Sequence, residues 1–276
     1  MKQMPKFEGR PLIQESIPRI GYLQGDFGKA FLEAYNTAVK EKYNDNRILK
    51  VFKFEDNVVK GSSTYSSVLA GEILNSMGAR LAKPCEIESA RKSNIFDTRG
   101  YYVDYGVVFR SVDRPNEYLA KQLESQIKKA LNLKKIKDPV VVLSEHLELI
   151  NDEKAPNGLG FNLKDYAKPF AVPALKKDTN FSETDKNGMP ISDKNGSRIY
   201  YTIGSGLSGL YLDRDLYVDS DWYYLDCSAS DGRVVVVSEE NVQIEKYIAE
   251  IDEEAAKKIE EIQKIRDEAI AKIKNQ

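Results

Sequence analysis

Tyr101-Tyr102-Val103-Asp104-Tyr105-Gly106-Val107-Val108-Phe109-Arg110 is the stretch on which the fold turns. Its aromatic and β-branched side chains read as a strand. Upstream lies a strand-like run, Ile48 to Val59, and then Lys60-Gly61-Ser62-Ser63-Thr64 breaks into a helix that reaches about Met77. Pro84 suits the first turn of a further short helix. Downstream, Asp113-Arg114-Pro115 opens a helix that ends near Leu133, and Pro139 to Ser144 is a third strand. Residues 48–144 therefore alternate strand, helix, strand, helix, strand, which predicts an α/β layer, parallel in part.

Pro5, Pro11 and Pro18 make residues 1–25 an extended arm, and Asp26 is placed to cap a helix from Phe27 to about Lys42. After Asn151 the apolar runs shorten and glycine and proline become frequent, so residues 151–238 read as a mostly antiparallel β region. Asn187-Gly188 and Asn195-Gly196 suit two successive hairpin turns. A calcium loop there fails, because counting from Glu183 the twelfth position is Lys194, a cation.

Residues 239–276 contain no Gly or Pro and carry eleven acids against seven bases. Ile244, Ile248, Ile251, Ile259, Ile262, Ile270 and Ile273 recur with a helical period, which predicts one long amphipathic helix. Its acidic polar face is unsuited to a membrane surface. The expected fold class is thus α+β in four segments: the arm 1–25, an α/β region 26–150, a β-rich region 151–238 and the helix 239–276.

Composition narrows the function. The chain has 276 residues and a net charge of −2, which argues against a dedicated duplex-DNA binder. No apolar run is long enough for a membrane helix, and Met1 to Phe7 lacks the apolar core of a signal peptide. Two distant cysteines, Cys85 and Cys227, suit a reducing, cytoplasmic setting. With a single histidine, His146, any zinc site of the usual His/Cys kind would need both distant cysteines and a carboxylate. No pattern calls for a cofactor.

Four groups of residues carry possible chemistry. If the three strands of residues 48–144 are parallel neighbours, their carboxyl ends gather Lys60, Gly61, Ser62, Ser63, Thr64, Arg110, Arg114, Glu145 and His146. A Gly/Ser/Thr loop entering a helix offers N–H groups to an anion, so this set suits a phosphorylated or carboxylated small molecule. Asp213, Asp215, Asp219 and Asp221 alternate along one strand face, which suits either Mg²⁺ or Ca²⁺ or a solvated outer face. Gly204-Ser205-Gly206-Leu207-Ser208-Gly209 has dinucleotide-loop spacing but leads into a strand pattern rather than a helix, so it reads as a turn. Arg99-Gly100-Tyr101-Tyr102-Val103-Asp104-Tyr105 approximates an RNA-recognition strand with one position missing. Phe52 and Phe54 would have to supply its second stacking platform.

These features favour a non-enzymatic structural or interaction protein, assembling with itself or another protein through residues 239–276. The alternative is an enzyme or binding protein for an anionic small molecule at the strand ends. Single-stranded RNA binding comes third, and no residue on its own proves catalysis.

Overall fold

The computed structural model describes residues 10–11, 19–238, 259, 262–264 and 266. Along the chain, β1 (Arg10–Pro11) and β2 (Arg19–Tyr22) precede α1 (Gly25–Lys42). The hairpin β3 (Lys53–Glu55) and β4 (Val58–Lys60) leads into α2 (Thr64–Ser76), β5 (Ala79–Leu81) and α3 (Pro84–Lys92). Then come β6 (Val103–Phe109), α4 (Glu117–Ala130), β7 (Val140–Leu143) and the hairpin β8 (Leu147–Asn151) and β9 (Leu159–Leu163). The remaining strands are β10 (Phe170–Ala171), β11 (Thr179–Thr184), β12 (Pro190–Ser192), β13 (Arg198–Thr202), β14 (Leu207–Leu212), β15 (Val218–Ser220) and β16 (Val235–Ser238).

An eight-stranded sheet in the order β10-β7-β6-β14-β15-β13-β11-β12 organises the molecule. It joins strands from both halves of the sequence, and every neighbouring pair is antiparallel except β13 with β15. Each face of the sheet is covered. Val107, Phe109, Val140, Val142 and Leu207 pack on one side with α1, α2, α4 and the β8–β9 hairpin. Val108, Val141, Leu143, Leu210 and Val218 pack on the other with α3, β2 and β16. A four-stranded sheet, β1-β2-β16-β5, stands beside it.

The helices form near where the sequence places them, but not always by its expected caps: α4 opens at Glu117 after Asn116 rather than at Asp113-Arg114-Pro115. α1 buries Phe27, Phe31, Tyr35, Ala38 and Val39 on one stripe. It begins a little earlier than expected, with Asp26 in its first turn rather than as a side-chain cap. In α2 the Ser63 and Ser66 side chains close a reciprocal capping box. Both Asn-Gly turns are present: Gly188 N–H donates to Asp185 O at 2.9 Å, and Gly196 N–H to Asp193 O at 3.0 Å.

The expected fold class is overturned in two places. Residues 48–144 do not build a strand-helix-strand-helix-strand layer. The run 48–59 is a short 3₁₀ turn followed by the β3–β4 hairpin, which stands apart from the main sheet. β6 and β7 are antiparallel, with Phe109 opposite Val140 and Gly106 opposite Leu143. The cause lies in the connection: α4 is followed by Leu131 to Pro139, and these nine residues can span about 30 Å when extended, longer than the ~21 Å of the helix. The chain can therefore return to the end of β6 that it left.

The second correction concerns residues 239–276. Among the described residues there is no long terminal helix: only Ile259, Ile262 to Lys264 and Arg266 are helical there. Ile259 and Ile262 are 55% and 65% exposed, so no core buries the stripe at these positions. A helix without a buried face draws little stability from its pattern alone. Ile244, Ile248, Ile251, Ile270 and Ile273 lie outside the described residues.

Candidate functional site

A cavity of about 260 Å³ opens on the α2 face of the sheet, at the low end of the roughly 300–1,000 Å³ typical of ligand pockets. One cross-strand row builds its floor. Asp104 on β6 stands opposite Tyr211 on β14, Tyr211 stands opposite Asp219 on β15, and Asp219 is flanked in turn by Tyr201 on β13. Paired residues in a sheet point to the same face, so these side chains form one line.

A β-bulge puts Asp104 into that line. The β6–β14 register runs Gly106 to Leu210 and then Asp104 to Tyr211, leaving Tyr105 as the extra residue. Without it Asp104 would face the second core; with it the alternation flips, and Tyr105 is buried there instead. Gly106 permits the kink. Its φ is +143°, and a Cβ at this position would lie 2.2 Å from Val142 O.

The two carboxylates of the row are held out of water. Asp219 is only 7% exposed, and its Oδ1 has no hydrogen-bond partner. Burial, then the nearby Asp221 and Asp213 charges, push its pKa up to about 7, against a hydrogen bond with Tyr211 that favours the ionised form. Asp104 keeps some accessible area at the floor, but the surrounding protein desolvates it and raises its pKa to about 7 as well. The Ser62 hydroxyl donates to it.

Aromatic rings form the walls. Tyr102 and Tyr211 meet edge to face at 6.2 Å, and Trp222 and Tyr224 lie 5.5 Å apart at the rim. The Tyr102 hydroxyl donates to Ser62 O at 2.7 Å and accepts from Ala229 N–H at 2.9 Å, so the ring is fixed. The rim segment is tied down through its backbone. Gly209 N–H donates to Trp222 O, Tyr65 N–H donates to Leu225 O, and the Asn116 side chain donates to Tyr223 O at 2.9 Å. Trp222 and Tyr224 nevertheless remain 46% and 51% exposed. An acidic floor under electron-rich ring faces attracts a cation on both counts.

The residues expected to bind an anion are divided. Ser62 and Thr64 do reach the cavity, Ser62 through Asp104 and Thr64 as part of the wall. Several N–H groups at that loop are already occupied: Gly61 by Gly232 O, Ser62 by the Ser228 hydroxyl, and Ser63 and Ser66 by each other's side chains. Lys60 is paired with Glu55 and Asp56. Arg110 lies on the opposite sheet face, bonded to the Ser208 hydroxyl at 2.9 Å and the Tyr200 hydroxyl at 3.1 Å. Arg114 precedes a cis proline, and its carbonyl accepts from Ser205. Glu145 and His146 follow the far end of the β6–β7 ladder, away from Arg110, because that pair is antiparallel. Burial and three nearby lysines lower the His146 pKa to about 4, so the ring is neutral.

The four aspartates are also divided. Asp213 and Asp219 line the cavity, Asp221 is exposed beside it, and Asp215 is exposed on the β14–β15 turn. Asp213 spends one oxygen on the Asp215 and Tyr217 N–H groups of that turn. Among the described residues no group of three or more His, Cys, Asp or Glu side chains is arranged to hold a metal ion. The RNA-like stretch gives no stacking platform either, since Tyr105 and Phe52 are buried in separate cores.

A larger cavity of about 520 Å³ lies across the Ser228–Ala229 wall, lined by Arg47, Lys53, Lys60, Glu55 and Asp226 among others. Its charges are mixed, and Lys60 is already neutralised, so it offers no convergent set of unmet polar groups. The smaller cavity is the stronger candidate on chemistry. Among the described residues no helix is long and apolar enough to cross a membrane. No family model, no curated protein and no solved structure matches this chain, so the site stands on its own geometry.

Proposed function

We propose that this chain is a binding protein for a small organic cation of the alkylammonium class, held in the cavity above Asp104, Tyr211 and Asp219. The observation that carries this reading is Asp219, a nine-tenths buried carboxylate that lines the cavity beneath an aromatic rim and keeps one oxygen without a hydrogen-bond partner. A buried carboxylate is costly unless something neutralises it, and a bound cation would do so. Trp222, Tyr224, Tyr102 and Tyr211 would supply ring faces to an ammonium, worth roughly 0.5–2 kcal/mol each.

An anionic ligand is disfavoured at this site, where Asp104, Asp213, Asp219 and Asp231 would repel it unless a cation accompanied it. Assembly through residues 239–276 rests on a segment almost wholly outside the described residues and is not carried forward. The test is calorimetric titration at pH 8 with choline and with its uncharged carbon isostere, 3,3-dimethylbutan-1-ol. Saturable binding of choline and none of the isostere supports the proposal. Equal binding of both, or of neither, contradicts it.

A further inference from the structure

The cavity carries a cation of its own, and its position gives the site a polarity. Arg214 is the sole base among the described residues lining the cavity, against the carboxylates of Asp104, Asp213, Asp219 and Asp231. It lies three residues beyond Tyr211, in the turn from β14 to β15. At about 3.4 Å per residue, and with Arg214 already in the turn, its backbone stands at most roughly 10 Å from the Asp104–Tyr211–Asp219 row. That sets the cavity's one base apart from its acidic floor, beside Asp213 and Asp231.

The root of Arg214 is fixed while its head is free to exchange partners. Its carbonyl accepts from Gly100 N–H at 2.9 Å, anchoring the turn. Its guanidinium makes one ion-pair contact, 3.3 Å to Asp231, and its side chain is 65% exposed. Such a solvated pair contributes only about 0–1 kcal/mol and is readily replaced. A guanidinium is a planar fork that takes a carboxylate through two parallel bonds.

Building on the reading of the floor as an ammonium site, we infer that the ligand is a zwitterion, with its ammonium end above Asp219 and Asp104 and a carboxylate end bound by Arg214 at the mouth. The arriving carboxylate replaces Asp231 on the fork, and Asp231, 24% exposed, turns to solvent. A ligand with only a positive end leaves Arg214 on Asp231 and gains nothing from it. A ligand with a second positive end meets Arg214 as a like charge.

The experiment compares choline with 4-(trimethylammonio)butanoate by calorimetry at pH 8, using the wild-type chain and the Arg214→Ala and Arg214→Lys variants. Wild type is expected to bind the zwitterion about two- to threefold more tightly than choline, the margin by which a two-bond carboxylate can exceed the single 3.3 Å contact to Asp231 that it replaces. Arg214→Ala should erase that preference without weakening choline binding, and Arg214→Lys should keep part of it. A wild-type preference for choline, or a zwitterion preference that survives Arg214→Ala, overturns the inference and leaves the ammonium site standing. If neither compound binds wild type, the ammonium site itself falls and takes the inference with it.

Discussion

Asp104 and Asp219 stand two strands apart in one cross-strand row, on either side of Tyr211. Both are raised from 3.8 to about 7, chiefly by burial, so without a counter-charge each is close to half protonated at neutral pH. A cation between them favours the ionised forms. The consequences follow from that one relationship and from the scaffold that fixes it.

Cation binding should strengthen as pH rises from 6 to 8 and level off above that. Below about pH 7 the ligand has to expel a proton, so affinity falls by up to about tenfold per pH unit for each carboxylate involved. Choline affinities measured at half-unit steps test this. A flat profile across that window would show that neither carboxylate contacts the cation.

Stability should move the opposite way. Because the folded pKa of Asp219 exceeds the unfolded one, the folded state binds more protons between about pH 4 and pH 7. Its contribution is therefore most favourable at low pH and is lost as pH rises through about 7. Asp219→Asn removes the buried charge, so it is expected to be more stable than wild type at pH 8, by on the order of 2 kcal/mol. The advantage should fade toward pH 4. Urea unfolding at the two pH values measures it.

Gly106→Ala should damage both fold and site. Its φ of +143° is foreign to L-residues, and the added Cβ would collide with Val142 O at 2.2 Å and Leu143 Cα at 2.8 Å. A loss of about 3 kcal/mol is expected. If the chain still folds, relief of the strain shifts the bulge that aims Asp104, and choline binding is lost. An unchanged melting temperature together with intact binding would show that the bulge does not set the site.

The second core depends on an ion pair. The Glu88 carboxylate accepts from both terminal nitrogens of Arg198, at 2.8 and 2.6 Å, and from Arg91 at 2.9 Å. Burial raises the Glu88 pKa, but these guanidiniums outweigh it and hold the group below the ordinary glutamate value. The pair therefore stabilises above the ordinary carboxylate range and is lost as pH falls through the depressed pKa. Glu88→Ala strands Arg198, whose side chain is 8% exposed. The expected cost is about 3–5 kcal/mol, or roughly 10 °C in melting temperature. A shift under about 2 °C would mean that water reaches Arg198.

Local elements were legible in the sequence, and their assembly was not. The helix from Phe27 to about Lys42 was legible as α1, Lys60-Gly61-Ser62-Ser63-Thr64 marked the break into α2, and the Asn-Gly pairs marked their turns. Strand direction was lost because nothing in residues 131–139 announces that they run back along a helix length. The site was lost with it. Asp219 was visible as one of four alternating acids, but its burial depends on β13 and β14, which pair with it from other parts of the chain. Asp104 was an acid in an otherwise apolar strand, the one local signal of a polar floor. Its facing hung on the bulge at Tyr105, and Gly106 was the only hint of that. Residues 239–276 show the converse: periodicity reports a face that needs burial without saying that anything buries it.

Trp222 is the chain's only tryptophan, and it stands at the rim of the cavity, so its fluorescence reports on this site alone. The most direct measurement is a choline titration followed by that fluorescence at pH 8, in wild type and in Asp219→Asn. The account predicts a saturable change in wild type and none in the variant. A saturable change of equal size and midpoint in Asp219→Asn, or no change in wild type, would contradict it.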